Sequence, residues 1–356
     1  MLRLEEICRG IPPADTAVMN QVWKIWDNKC IPLRSLEWLQ ETLVRIAGVQ
    51  RNVQPRIQKK LTIVMAADNG VIAEGVSQSD AHVTAQVVEN MLHQRAAIAL
   101  MSENAGSDFL VADIGMKEKV EGVLDISLMC GTDNMAVGPA MSRETAEAAI
   151  EAGAELARKK AAEGYQLFAT GEMGIGNTTS SSAVLAVLSG KPAAYVTGRG
   201  AGLSSEGLER KIRTIEKAIA LNQPNPSDGV DVLAKVGGLD IAGLTGVFLG
   251  AASVGIPVVI DGFIASVAAL LAKQLAPASL DGMIASHCSK EPGAVLALDM
   301  LGLRPAIYGD FHLGEGSGAV LLFSMLDQVF NLYDKLPDFQ EGKIETYIPL
   351  DRKSVV

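Results

Sequence analysis

Two short stretches of this chain hold residue types whose spacing suits chemistry better than it suits a plain turn. In Gly314-Glu315-Gly316-Ser317-Gly318 a glutamate is enclosed by glycines. Carboxylates ordinarily sit on solvated helix faces. Small neighbours let a substrate lie against this one, and burial raises a carboxyl pKa toward the range of a general base. The alternative is a glutamate at the start of the next helix, favoured by the helix dipole. In Gly171-Glu172-Met173-Gly174-Ile175-Gly176-Asn177-Thr178-Thr179 three glycines allow close backbone approach. Asn177, Thr178 and Thr179 can cap and line a helix N-terminus that runs on through Ser180-Ser181-Ser182. Free N–H groups and the positive end of the dipole make such a terminus an anion site, with phosphate the natural guest; a plain helix cap is the alternative. The lysine of a P-loop is missing, as is an acidic residue about twenty positions after a GxGxxG, so a dinucleotide fold of the dehydrogenase type has little support.

A third group is weaker. Gly200 and Gly202 lie in a Gly-rich turn, and Lys211 follows as a candidate counter-charge for phosphate. Within GLERKIRTIEKA, however, Lys211 reads more readily as a solvated helix lysine. His82, His93, His287 and His312 share no metal-ligand spacing, so no metal is expected. His287 beside Cys288 is not a nucleophile pair, because neighbours on a chain rarely face each other productively.

The elements that must position these loops follow a regular rhythm. Short β-branched or apolar runs recur at 61–66, 109–114, 165–170, 193–197, 257–260, 282–286 and 305–309, with Ala-rich helical patterns such as 143–162 and 204–221 between most of them. Strands alternating with helices imply right-handed βαβ units and a parallel sheet. Glycine, carboxylate and hydroxyl residues concentrate after these runs, at the sheet edge where open α/β folds bind ligands. The expected fold class is therefore α/β, a Rossmann-like parallel sheet with flanking helices. Residues 1–58 look helical, with Trp23, Trp26, Trp38, Leu39 and Leu43 placed to pack, and 318–340 turn helical again before a polar tail. The termini, 1–58 with 319–356, are expected to form a smaller helical domain beside a catalytic domain of 59–318.

Composition excludes several classes. With 48% apolar residues the chain is not intrinsically disordered. A net charge of −10 argues against nucleic acid as a partner but leaves room for one locally basic pocket. Four scattered cysteines, Cys8, Cys30, Cys130 and Cys288, form no CxxC and read as reduced thiols of a cytoplasmic protein; MLRLEEICRG is acidic where an export signal is basic. Residues 241–260 carry no charge over a membrane-spanning length. Gly255 and Pro257 read instead as the stop of a buried helix before a strand at 258–260, so no membrane association is expected.

Longer segments carry a resemblance. AADNGVIAEGVS (66–77), NMAVGPAMSRE (134–144), GEMGIGNTTSSSA (171–183), AIALNQPNPSDGVDVLAKVGGLDIAGLTG (218–246), IDGFIASVAALLA (260–272), SHCSKEPGA (286–294) and LGEGSGA (313–319) are similar to the nicotinate-nucleotide–dimethylbenzimidazole phosphoribosyltransferases of cobamide assembly, over nearly the whole chain. The resemblance implies a transfer of the 5-phosphoribosyl group from nicotinate mononucleotide to an aromatic acceptor, without a cofactor, in a protein that is typically a homodimer. It implies Glu315 as general base and Glu172 as a second active-site carboxylate. Gly174, Gly176, Asn177 and Thr178 would form the phosphate-side loop, Gly200, Gly202 and Lys211 further phosphate contacts, and Ser79 and Leu313 the neighbourhood of the acceptor and its base.

Three stretches depart from the family pattern. Ile31-Pro32-Leu33-Arg34-Ser35-Leu36-Glu37 stands where a KPxGSLG-like segment is usual, Asp68-Asn69-Gly70 replaces Asp-His-Gly, and Ser77-Gln78-Ser79-Asp80-Ala81-His82 lacks a proline. All three are expected near the acceptor. They suit a variant that attaches phenol or p-cresol through oxygen, as the catalytic subunit of a heterodimer with a paralogous subunit. A nicotinamide-dependent oxidoreductase and a non-catalytic binding module are the competing classes.

Overall fold

The computed structural model describes residues 2–347. Its main sheet has six parallel strands: β1 (Lys60–Ala67), β2 (Asp108–Gly115), β3 (Leu124–Asp125), β4 (Leu167–Met173), β5 (Val258–Ile260) and β6 (Met283–Ala285), in the spatial order β3-β2-β1-β4-β5-β6. The order reverses between β1 and β4. Loops leaving such neighbours part to opposite sides of the sheet, and the crevice they leave at the carboxyl ends receives ligands.

Both faces of the sheet are covered, as parallel sheets require. On β1 the alternation of side chains is visible directly. Leu61, Ile63, Met65 and Ala67 enter one apolar cluster with the helices Arg143–Ala162, Leu239–Ser253 and Phe263–Leu275. Val64 and Ala66 enter another, made with Trp26, Leu43 and Val44 of the N-terminal helices and Phe323, Leu326 and Phe330 of the last helix, Ser317–Lys335. Trp26 packs on Tyr333 with ring centroids 5.2 Å apart, joining the two ends of the chain.

The uncharged stretch 241–260 lies within the fold as expected. Leu239–Ser253 is a buried helix, a turn at 254–257 follows, and β5 takes up Val258–Ile260. No helix among the described residues is long and apolar enough to cross a membrane.

Glycines bring two of these helices into direct backbone contact. Leu239–Ser253 lies backbone to backbone on Arg143–Ala162. A Cβ placed on Gly246 would stand 2.0 Å from the Ile150 carbonyl oxygen, and one on Gly153 2.0 Å from that of Gly243. Neither neighbour is a flexible side chain, so the helices would have to separate. Gly246→Ala is expected to destabilise the protein by about 2 kcal/mol or more. Gly138→Ala, where a Cβ meets nothing within 4 Å, is the control. Urea unfolding midpoints check both.

Three expectations need correction. Residues 193–197 are not a strand: Ala193–Val196 forms a short helix opened by Pro192, whose φ of −55° already suits a helix start. The run at 305–309 does not join the main sheet. Its strand β8 (Ile307–Tyr308) pairs with β7 (His287–Cys288) in a separate two-stranded sheet. The last helix ends at Lys335 rather than 340, where Leu336 turns extended before Pro337. Of the polar tail, 348–356 lie outside the described residues.

Candidate active site

A cavity of about 320 Å³ opens at the carboxyl ends of β4, β5 and β6 and brings the two chemistry-bearing loops together. The glycine-enclosed glutamate has a mechanical explanation. Gly314, Glu315 and Gly316 are three consecutive left-handed residues, with φ of 86°, 64° and 93°. A Cβ on Gly314 would stand 2.5 Å from Glu172 Oε1, one on Gly316 2.6 Å from Thr62 Cγ2, and one on Gly171 2.5 Å from the Glu315 carbonyl oxygen. The turn is thus pressed onto the end of β4 with no room for side chains on either flank. Only Glu315 carries one, at the cost of a left-handed φ.

Asp261, just after β5, locks this turn. Its Oδ2 accepts from the Gly316 N–H and its Oδ1 from the Ala319 N–H, each at 3.1 Å, so it caps the last helix from another strand. Burial pushes its carboxyl up to about 7, and the backbone N–H groups around it oppose that shift.

Four carboxyls line the cavity, Glu172, Asp261, Glu291 and Glu315, and the two that meet at the glycine turn are set apart by their surroundings. Glu315 is half-buried; its Oε2 accepts from the Ile98 N–H at 3.3 Å, and burial raises its pKa against that bond. Glu172 is buried, and its pKa lies well above the usual carboxylate range, first by burial and then by the nearby Asp240 charge. The Asn177 amide donates to Glu172 Oε2 and, at 3.0 Å, to Asp240 Oδ2, which ties the two together. Asp240 itself is pushed up to about 6 by burial. Both carboxyls are pushed up, Glu172 the further of the two, an imbalance that suits a protonated group beside a readier base.

The other end of the cavity gathers a helix N-terminus and, behind it, a buried lysine, with the Glu291 carboxylate also in the lining. Gly176, left-handed at φ 95°, turns the chain into the helix Asn177–Ser189, whose N-terminal residues Asn177 and Thr178 border the cavity together with Gly174. Lys211 Nζ donates to Thr178 Oγ1 at 2.8 Å. The lysine is completely buried, not on a solvated helix face as its local sequence suggests, and burial lowers its pKa to about 8. Gly200 is packed against this pair, since a Cβ there would stand 2.9 Å from Thr178 Oγ1 and 3.5 Å from Lys211 Nζ.

Ser79 and Leu313 border the cavity with Val83, Val87 and Met173, which makes this flank largely apolar. Gly176 and Gly202 stand behind the lining; the Gly202 carbonyl accepts from Gln78 Nε2. Of the three departures from the family pattern, only the one containing Ser79 borders the cavity. Asn69 lies under the glycine loop, accepting from Ser180 Oγ at 2.8 Å, and Arg34 stacks on Trp23, 3.5 Å from the ring centroid. The expectation that all three flank the acceptor is therefore corrected within this chain. Among the described residues no three His, Cys, Asp or Glu side chains are grouped to hold a metal.

Sequence reasoning missed Asp240 and the loop-locking role of Asp261, and it dismissed His287, which also lines the cavity. A signal for Asp240 exists. It is the sole charge in GGLDIAGLTGVFLGAAS, and a lone carboxylate on an all-apolar helix must be buried at a site that uses it.

Fold and site define an α/β protein whose ligand cavity, at the carboxyl edge of a parallel sheet, sets a glycine-flanked glutamate beside a buried one. The comparisons narrow that class. The phosphoribosyltransferase family profile matches residues 11–344. The nicotinate-nucleotide–dimethylbenzimidazole phosphoribosyltransferase of Alkaliphilus metalliredigens is 43% identical over 97% of this chain and 99% of its own, and that of Chloroflexus aggregans 45% identical over 97% and 98%. The crystal structure of CobT from Thermus thermophilus superposes with a TM-score of 0.88 at 39% identity, covering 93% of this chain and all of that one. The chain belongs to this phosphoribosyltransferase family and is a pentosyltransferase, which sets the oxidoreductase reading aside.

Proposed function

We propose that this chain transfers the 5-phosphoribosyl group of nicotinate mononucleotide to 5,6-dimethylbenzimidazole or a related base, releasing nicotinate and forming an α-riboside phosphate. The observation that carries this reading is the Glu315 turn pressed onto Glu172 in one cavity with Thr178, behind which the buried Lys211 donates to the Thr178 hydroxyl. The phosphate sits at the helix N-terminus beside Lys211. The acceptor lies on the apolar flank of Ser79, Val83, Val87, Met173 and Leu313.

The chemistry balances without an acid. A ring nitrogen of the acceptor attacks the anomeric carbon, Glu315 takes the acceptor's N–H proton, and the bond to the pyridinium nitrogen breaks with its electron pair going to nicotinate. Attack opposite the leaving group inverts the β-nucleotide to an α-riboside. Glu172, kept protonated by its burial and by the nearby Asp240 charge, lies beside the Glu315 turn as the second carboxyl and exchanges no proton in this step.

We propose further that the protein works in the cytoplasm as a dimer, homodimeric or with a paralogous subunit. In this reading 1–58 and 319–356 act as one small helical unit beside 59–318, a division supported by the Trp26–Tyr333 contact. The test supplies nicotinate mononucleotide with dimethylbenzimidazole, adenine, phenol and p-cresol in turn and identifies the riboside phosphate by mass. A dimethylbenzimidazole riboside is the expected product. Phenolic ribosides alone would transfer the assignment to the oxygen-linking variant, and no riboside with any acceptor would refute it.

A further inference from the structure

We infer that His287 is a substrate-binding residue whose Nε2 accepts a hydrogen bond from a ribosyl hydroxyl of the nucleotide. This deepens, and rests on, the phosphoribosyl transfer proposed above.

One proton fixes the tautomer of the ring. Ser286 Oγ has a single hydrogen, and the Ile260 carbonyl oxygen lies 2.6 Å away. A carbonyl cannot donate, so the hydroxyl proton points there. The same oxygen lies 3.0 Å from His287 Nδ1 and must therefore accept. His287 is thus fixed with its proton on Nδ1, which leaves Nε2 with a lone pair and no proton. Among the described residues nothing uses that lone pair: of the two ring nitrogens only Nδ1 is hydrogen-bonded.

The ring is also held in place. It is 4% exposed, lies along Gly318, where a Cβ would come within 2.3 Å of Cε1, and packs against Phe311 with centroids 5.4 Å apart. Its Nε2 edge faces Gly262, at 3.3 Å from where a Cβ would stand, and both residues line the cavity. Burial lowers the imidazole pKa to about 4, in keeping with a neutral ring.

A neutral acceptor selects its ligand group by chemistry. The phosphate and the nicotinate carboxylate have no proton to give and would be repelled by the lone pair. The ribosyl hydroxyls are the donors that the nucleotide brings. Hydrogen bonds to such hydroxyls strengthen as positive charge grows at the anomeric carbon.

The test crosses enzyme variants with substrate variants. Nicotinate release is measured for wild type, His287→Phe and His287→Gln with nicotinate mononucleotide and its 2′-deoxy and 3′-deoxy forms. His287→Phe keeps a packed ring without the acceptor and is expected to lower kcat/KM for the mononucleotide about tenfold, leaving the KM for the acceptor base unchanged. The penalty that wild type shows for one of the deoxy substrates should vanish in His287→Phe. His287→Gln, whose amide oxygen can occupy the Nε2 position, should recover part of the rate and of the penalty. If His287→Phe does not fold, His287→Leu is read in the same way. The inference is overturned if the apolar variant keeps the full wild-type penalty for both deoxy substrates, or turns over the mononucleotide at the wild-type rate. Failure of wild type to release nicotinate from the mononucleotide would instead refute the transfer itself, and the role of His287 with it.

Discussion

Glu315→Gln is expected to slow nicotinate release from nicotinate mononucleotide by about a thousandfold in kcat, with KM changed little. The amide keeps the volume of the carboxyl and can still accept from the Ile98 N–H, so the turn and its Asp261 lock stay in place. What disappears is the capacity to take the acceptor's proton. The pH profile supplies an independent reading. Burial raises the Glu315 pKa, so in wild type kcat/KM falls as the pH drops through that raised value and the base becomes protonated. In Glu315→Gln this acid limb should be absent from whatever activity is left. Single-turnover release of nicotinate measures both effects. A variant as fast as wild type, or one that keeps the acid limb, would remove Glu315 as the base.

How much of this site was legible in the residues depends on where the information lies. The Gly-Glu-Gly turn announced itself because close approach of two loops leaves a local mark: glycines where a Cβ would strike Glu172 and Thr62. The parallel sheet was legible for the same reason, since β1, β2 and β5 are short apolar runs set off by turn residues. Lys211 was not, because a helix lysine looks alike whether its face meets water or Thr178; only tertiary packing decides, and the amphipathic sequence around it points the wrong way. The segment 193–197 failed through propensity. Tyr195, Val196 and Thr197 favour a strand, but Pro192 starts a helical turn, and Thr197 Oγ1 bonds back to the Ala193 carbonyl at 2.7 Å. Asp261 directly follows the run at 257–260, yet its capping of a helix that begins more than fifty residues later is a contact no local pattern contains. His287 has neither metal-ligand spacing nor a productive neighbour in Cys288, and the contacts that fix its tautomer, the Ser286 hydroxyl and the Ile260 carbonyl, leave no mark in the local pattern.

Lys211→Met is expected to raise the KM for nicotinate mononucleotide about 10- to 100-fold while changing kcat less, because in the proposed binding mode the positive charge behind the Thr178 hydroxyl is lost and the reacting groups are untouched. Methionine fills much of the same volume, so the helix Ser205–Asn222 should stay packed. The lysine's pKa, lowered to about 8 by burial, makes two further outcomes specific to it. In wild type, kcat/KM falls as the pH rises through about 8 and the free enzyme's ammonium loses its proton; in Lys211→Met that alkaline limb is gone. Stability moves in the opposite sense. Below about 8 both folded and unfolded chains carry the proton and the folded one bears the full burial penalty, whereas above 10.5 neither carries it. Between these values the unfolded chain binds more protons, so wild-type stability rises with pH by an amount on the order of 3 kcal/mol that Lys211→Met does not show. At pH 7 the variant should accordingly unfold at higher urea than wild type, less whatever is lost by leaving Thr178 Oγ1 without its donor. Urea midpoints at pH 7 and pH 10, set beside the KM values, decide whether this buried charge is kept at the expense of stability for the sake of binding phosphate. A variant that is less stable at pH 7 and binds the nucleotide normally would make Lys211 a structural residue instead.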